Sequence, residues 1–382
     1  MGWFVAELRT GNVVVRSLPV KSGSINPVLN KAGVISATVK LPLAVTLGGF
    51  NTAIDVALLT PGRYVLGLEL NGVILDAGPI WQHDYDLDKR ELKITGAGVR
   101  SYFEGRYVLP VGTTDPYGAN STFTALSLRT IAKRVLQQAQ AWTAGSIPLT
   151  FEGDVAGTAE RTFLGEDLQV VDEVLAKLSG VDGGPDIDFR PVFINNGSQI
   201  QWQVVTGAPE LKQAGADWVW DASLPSSPVR AASIRISAKE LVTQDWEIGG
   251  TPTGATRPVT ARAVSTVLTD AGFPIMEASM SRNSVTTQSV LDGHASAAVR
   301  VGTKPVSQFS FSVSSDPTIV LAGKTVSTAP RLGEYRPGDY GILGLPKDPY
   351  LGAASRKRIR VLGYSYDYGS EVVKFTCAES RS

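Results

Sequence analysis

The sequence predicts a β-rich α+β protein, built from two related β units with α+β segments inserted around them. Three observations carry this expectation. Short alternating apolar and polar runs, punctuated by turn residues, fill both ends of the chain. The apolar period lengthens to that of a helix only in the interior. A pattern also recurs: Tyr85-Asp-Leu-Asp-Lys-Arg-Glu-Leu-Lys-Ile-Thr95 is echoed at equal length by Tyr366-Asp-Tyr-Gly-Ser-Glu-Val-Val-Lys-Phe-Thr376. Upstream of each, in the same order, stand Gly62-Arg-Tyr64 and Gly338-Asp-Tyr340.

The first unit opens as a hairpin, Trp3–Leu8 and Val13–Leu18 around a turn at Thr10-Gly-Asn12. Strands follow at Val34–Leu41, Tyr64–Leu70, Val73–His83 and Glu91–Ala97, with Asn71-Gly72 as a type I′ turn signal. Helical spacing then places Leu126, Leu128, Ile131, Val135, Leu136 and Ala139 on one face of Ser121–Trp142, leaving Arg129, Lys133 and Arg134 outward. A second helix is expected at Asp167–Ser179, with Leu168, Val171, Val174, Leu175 and Leu178 inward and Gly180 ending it. A hairpin, Phe189–Ile194 and Gln199–Val205, turns at Asn195–Ser198. Ala232–Ser237 and Glu240–Ile248 read as strands, and Thr251–Pro258 is rich in breakers. A short helix over Thr287–Arg300 precedes strands at Gln308–Val313, Gly341–Leu345, Lys357–Asp367 and Glu371–Ala378. The expected domains are 1–115, an inserted 116–225, a second β unit of 226–250 plus 319–382, and a second insertion 251–318.

Composition narrows the chemistry. With 36 basic and 36 acidic residues the chain is formally neutral, which argues against gripping phosphate backbones as its main work. Cys377 is the only cysteine, so neither an intramolecular disulfide nor a thiolate zinc site is expected. The N-terminus lacks the basic and apolar regions of a secretory signal, and no apolar run is long enough to span a membrane.

Asp186 and Asp188 are the best carboxylate pair, in Val181-Asp-Gly-Gly-Pro-Asp-Ile-Asp-Phe-Arg-Pro-Val-Phe193. Two residues apart on an extended chain they share a face, as glycoside hydrolysis or a hard metal would need. Arg190 lies on that face and can neutralise Asp188, while Phe189 and Phe193 point the other way. The stretch therefore reads as an amphipathic strand entered through a Gly-Gly-Pro turn, with its aspartates shaping and solvating it. The next acid, Glu210, is too far along for a local calcium loop. His83 and His294 are far apart and lack metal-ligand spacing. Gly323-Lys-Thr325 resembles the end of a phosphate-binding loop, but Thr318 stands where its first glycine belongs. Gly363-Tyr-Ser-Tyr-Asp367 lacks the closing glycine of a nucleophile elbow. No catalytic, cofactor-binding or metal residue is assigned, and no cofactor is expected. The loop 344–354 carries Leu345, Tyr350 and Leu351 with few charges, and these are the candidate contacts to another subunit or partner.

Several segments together resemble the minor tail or baseplate hub proteins of long-tailed, siphovirus-type phages, especially actinobacteriophages. They are Gly78-Pro-Ile-Trp81 through Gly96-Ala-Gly-Val-Arg100, the GGPDIDFRP segment, Arg336-Pro-Gly-Asp339, Lys357-Arg-Ile-Arg360 and Tyr364-Ser-Tyr-Asp367. The similarity covers most of the chain in order. It implies a homotrimer in which two barrel-like tube domains per subunit form a pseudo-sixfold ring, decorated by inserted domains. It further implies a virion protein at the distal end of the tail, made in the host cytoplasm and forming part of the DNA conduit. Its partners would be copies of itself, the distal tail protein, the tape-measure protein and receptor-binding or other tip proteins, with no specific nucleic-acid binding. A fused lytic domain, carried by some relatives, is not expected after the second β unit. The alternatives are a wall- or glycan-cleaving enzyme using Asp186 and Asp188, and a receptor- or carbohydrate-binding tip protein presenting Trp202, Trp218 and Trp220.

Overall fold

Alternation with period two builds the same three-stranded antiparallel meander twice. The first comprises Tyr64–Leu70, Val73–Asp86 and Glu91–Ala97; the second comprises Tyr340–Leu345, Ser355–Asp367 and Val372–Glu379. In each, the middle strand is long, 14 residues in one and 13 in the other. Each middle strand also shifts register against the third strand, between Ile80 and Gln82 and between Val361 and Gly363. The sequence echo falls on equivalent places: Tyr64 and Tyr340 begin the first strands, and the Tyr85–Thr95 and Tyr366–Thr376 segments are the second hairpins. The protein is β-rich α+β. The structure, a computed structural model, describes residues 1–382 apart from 48–49, 182, 283–284, 304–305, 322–323 and 381–382. It divides into two units, Met1–Ala232 with Ser310–Ser382, and Ser233–Phe309.

In the larger unit both meanders belong to one sheet. From the second meander the order runs through Val20–Asn26 and Val34–Lys40 to Glu91–Ala97, then across the first meander to Gly2–Glu7 and Val13–Leu18. The two halves meet where Tyr366 and Asp367 pair with Ile25 and Ser24. Main-chain bonds lengthen the seam: Leu29 N–H donates to Leu362 O at 2.8 Å and Tyr368 N–H to Gly23 O at 2.7 Å. Trp218–Asp221 adds a parallel strand beside Tyr340–Leu345.

Each half buries an aromatic ring over a glycine in the first strand of its meander. A Cβ on Gly67 would lie 2.2 Å from the Phe4 ring, and one on Gly341 would lie 2.2 Å from the Trp220 ring. Only a residue without a side chain permits that approach. Around Phe4 the core is largely aliphatic, with Val65, Ile74 and Ala77 joined by Ile131, Val135 and Leu136 of the helix Leu128–Gln140 and by Val174 and Leu175 of the helix Val171–Ser179. Around Trp220 it is aromatic: Phe311 and Phe375 stack at 5.0 Å, and Tyr335 lies 4.8 Å from Phe375.

Several expectations change. Residues 116–225 do not form a body of their own; their helices and Trp202 share one core with the first meander, and Trp202 Nε1 donates to Ala77 O at 3.0 Å. Ser121–Leu126 is a strand paired with Ala159–Phe163, and the helix begins after the N-cap Ser127, whose hydroxyl accepts from Thr130 N–H. Lys133 is not outward: it is buried, with Nζ donating to Glu152 O at 2.8 Å and paired with Asp154. Leu168 is exposed because its left-handed backbone, φ 46°, closes a 3-10 turn before the second helix starts.

In the smaller unit Gln244–Gly249 lies between Thr260–Val264, antiparallel, and Glu277–Arg282, parallel. This strand, expected within 226–250 of the second β unit, is placed by those pairings in the smaller one. The helix Gln288–Val301 covers one face of the sheet, burying Leu291 and Ala295 against Ala261. Thr318–Leu321 and Lys324–Ser327, in the larger unit, pair as a hairpin; Gly323, the glycine of the phosphate-loop resemblance, lies outside the described residues.

Candidate functional site

The sequence brings three distant segments of the larger unit together at Asp186, which is buried. Its Oδ1 accepts from Asn30 Nδ2 at 2.9 Å, beside the seam in the first half. Its Oδ2 accepts from Leu211 N–H at 2.7 Å and from the Arg360 guanidinium, on the long strand of the second meander. Asn30 also accepts from Ile187 N–H at 2.7 Å, so its amide clamps the strand on both sides of the Asp186 side chain. Both oxygens of this carboxylate accept from protein donors, three in all, which is how a buried charge is made tolerable.

The same strand continues the cross-tie. Arg358 pairs with Asp217 at 2.8 Å and lies over the Tyr340 ring at 4.1 Å. That ion pair holds the Asp217 carboxyl below the usual carboxylate range. The Tyr340 hydroxyl donates to Glu210, and burial together with that bond pushes it up to about 12. Asp339 accepts from Trp218 Nε1 at 3.0 Å and from Arg336 N–H at 2.9 Å.

Asp188, expected beside Asp186, has a different setting. It pairs with Arg190 at 3.0 Å, as the shared face predicted, and lines a crevice of about 50 Å³ with Asp76, Arg100, Arg336 and Tyr364. That volume has room for about three or four waters and is far below a small-molecule pocket. One Asp76 oxygen accepts from Ala77 N–H at 2.9 Å; the other is buried without a partner. Burial first, and then the nearby Asp188 charge, push the Asp76 carboxyl up to about 7. Sequence reading passed over Asp76; its signal was an acid inside the apolar run Val73-Ile-Leu-Asp-Ala77.

The other candidates are dispersed. His83 is half-buried, and burial lowers its pKa. Cys377 is buried, and burial drives its thiol well above the ordinary range. Among the described residues no group of three or more His, Cys, Asp or Glu could hold a metal ion. Trp202 and Trp220 are core residues and present no stacking surface, and Trp218 is half-buried with its Nε1 bonded to Asp339. The exposed tryptophans are Trp81 and Trp246. Leu345, expected in the exposed loop, instead ends the paired strand Tyr340–Leu345 and is buried. Leu351 is half-buried, and Tyr350 stands out with 75% exposure.

The arrangement ties β elements together. The sequence matches no protein-family model and no curated protein. The structure, however, resembles solved structures along its whole length. The 43 kDa tail protein of prophage MuSo2 from Shewanella oneidensis superposes with a TM-score of 0.58 at 13% identity, covering 100% of this chain and 98% of that one. The tail protein from Neisseria meningitidis MC58 gives 0.55 at 10% identity, covering 100% and 97%. The chain has a phage tail-protein fold. Prophage tail protein gp18 from Listeria monocytogenes EGD-e gives 0.50 at 11%, covering 100% and 95%. At such identities the likeness is one of fold. The cross-tie at Asp186 sits inside that tail-protein fold, between its two meanders.

Proposed function

We propose that the chain is a structural protein of a phage tail tip, a homotrimeric baseplate hub of a long-tailed, siphovirus-type phage such as those of actinobacteria. Three subunits, each contributing two barrel-like β domains, would form a pseudo-sixfold ring. The ring would join the tail tube and distal tail protein to tip components, surround the tape-measure end and form part of the DNA conduit. The observation that carries this is the repeated meander: one subunit supplies the same strand pattern twice, which is what a threefold assembly needs to meet a sixfold tube. The full-length likeness to tail proteins supports it. Tyr350, with Leu351 behind it, is the proposed contact to a neighbouring subunit or tip protein.

The proposed role is not enzymatic. The hydrolase alternative needs two accessible carboxylates, whereas Asp186 is buried under Arg360 and Asp188 is paired with Arg190. Copy number in purified particles, by quantitative mass spectrometry or cryo-electron microscopy, tests the hub. Three copies at one end of the tail are expected; a sixfold ring, or copies repeating along the tube, would overturn it.

A further inference from the structure

The smaller unit leaves one sheet face bare. Along Gln244–Gly249, Asp245, Glu247 and Gly249 are buried, so Gln244, Trp246 and Ile248 face the other way. Register sets a grid of nine residues on that outer face. Gln244 lies between Val264 and Glu277, Trp246 between Arg262 and Ser279, and Ile248 between Thr260 and Ser281. Trp246 is at the centre with 43% of its surface exposed.

Polar groups bonded in a chain surround the indole. Trp246 Nε1 donates to Glu277 Oε1 at 2.9 Å, Gln244 Nε2 donates to the same oxygen at 2.6 Å, and Arg262 Nη2 donates to Gln244 Oε1 at 2.7 Å. These bonds fix the ring and cut the entropy cost of using it. The Arg262 guanidinium covers one side, 5.1 Å from the ring centre. The neighbour on the opposite strand is Ser279, too short to cover the other side.

We propose that this face is a glycan-binding platform, with Trp246 as the stacking surface and Gln244, Arg262 and Glu277 as hydroxyl-pairing groups. A sugar ring offers an apolar C–H face for the indole and a rim of hydroxyls for planar amide, carboxylate and guanidinium groups. Only Trp246, Ile248 and Val264 of the grid are apolar, too few for a protein-interface core. Glu277, bonded to the indole edge, opposes a phosphate backbone. The face is open to solvent, which suits an extended polysaccharide rather than a small sugar held in a cleft. The site is independent of the hub assignment.

The test uses the full-length protein on an array of bacterial surface glycans, followed by affinity electrophoresis in gels containing the bound polysaccharides. Saturable binding to at least one glycan is expected, with affinity falling about tenfold or more in Trp246→Ala and unchanged in Trp81→Ala. Ser279→Arg, on an exposed strand position, fills the open side of the ring without touching the covered face and should give the same loss. Absence of binding to every glycan, or binding kept in both variants, overturns the proposal. So does self-association through this face that Trp246→Ala abolishes, since the occupant would then be a second copy. Trimer number in particles carrying Trp246→Ala should be normal, which separates this result from the fate of the hub.

Discussion

The two meanders of the larger unit share a strand plan and differ in most of what fills it. Tyr64–Ala97 turns from its first to its second strand through Asn71-Gly72, both at positive φ, and packs on aliphatic side chains and two helices. Tyr340–Glu379 makes the same turn through the loop 346–354 and packs on a cluster of Trp220, Phe311, Tyr335 and Phe375. Even the neighbouring strand that supplies the ring over glycine runs differently, antiparallel for Phe4 and parallel for Trp220. Hydrogen-bond register and pleat define the plan, and many sets of side chains of suitable volume can fill it.

The largest effect should come from breaking the tie between the halves. Asp186→Ala leaves the half-buried Arg360 with only its longer pair to Glu210, at 3.6 Å, and strips acceptors from Asn30 and Leu211, a loss of about 3 kcal/mol. Equilibrium denaturation should show a midpoint shift far larger than for Glu91→Gln, which breaks an exposed pair with Lys21 worth about 0–1 kcal/mol. Equal, small shifts would mean the halves are held by the sheet seam alone.

Gly67→Ala and Gly341→Ala test whether the two halves use one packing device. Each introduces a Cβ into an aromatic ring, so each should cost about 1–3 kcal/mol by overpacking. A matched pair of losses supports equivalence. A cheap Gly341→Ala would show that the aromatic cluster gives way where the aliphatic core does not.

How far these features were legible in the sequence follows from the same physics. The echo at Tyr85 and Tyr366 was readable because turn chemistry and alternation are local. Val20–Asn26, the strand that joins the halves, escaped notice: Val-Lys-Ser-Gly-Ser-Ile-Asn has little apolar alternation, and its pairing partners supply its order. Glu277–Arg282 escaped for the same reason, since a parallel partner leaves no turn signal. The Asp188–Arg190 pair is local and was foreseen. The Asp186–Arg360 pair spans 174 positions, and nothing in either stretch announces the other.

Asp76 sharpens the comparison by pH. Its folded pKa of about 7 lies above its unfolded value, so the fold favours the neutral carboxyl. A penalty therefore builds as pH rises from about 4 to about 7 and is fully present above that range. Asp76→Asn retains an acceptor for Ala77 N–H and removes the charge. The variant should be more stable than the wild type at pH 8, by roughly 1–3 kcal/mol, and near equal at pH 4. Melting temperatures across that range decide it, and a deficit at pH 8 would show that Arg336 and Arg100 hold the carboxylate in its charged form.

The smallest effect on stability and the most specific on assembly belongs to Tyr350. The loop that carries it is the extra segment that the first meander lacks, and Asp348 organises it by accepting from Tyr350 N–H at 2.8 Å. With its ring exposed, Tyr350→Ala should change stability by less than about 0.5 kcal/mol. Contact through an aromatic anchor, by contrast, is where truncation costs an interface most. The variant should therefore melt like the wild type while its incorporation into tails falls severalfold. Replacing 346–354 by Asn-Gly, the turn of the first meander, should reproduce that defect without unfolding the sheet, because both flanking strands remain paired. Normal tail incorporation of both variants would leave the loop as a tolerated insertion, and the difference between the meanders would then carry no subunit contact.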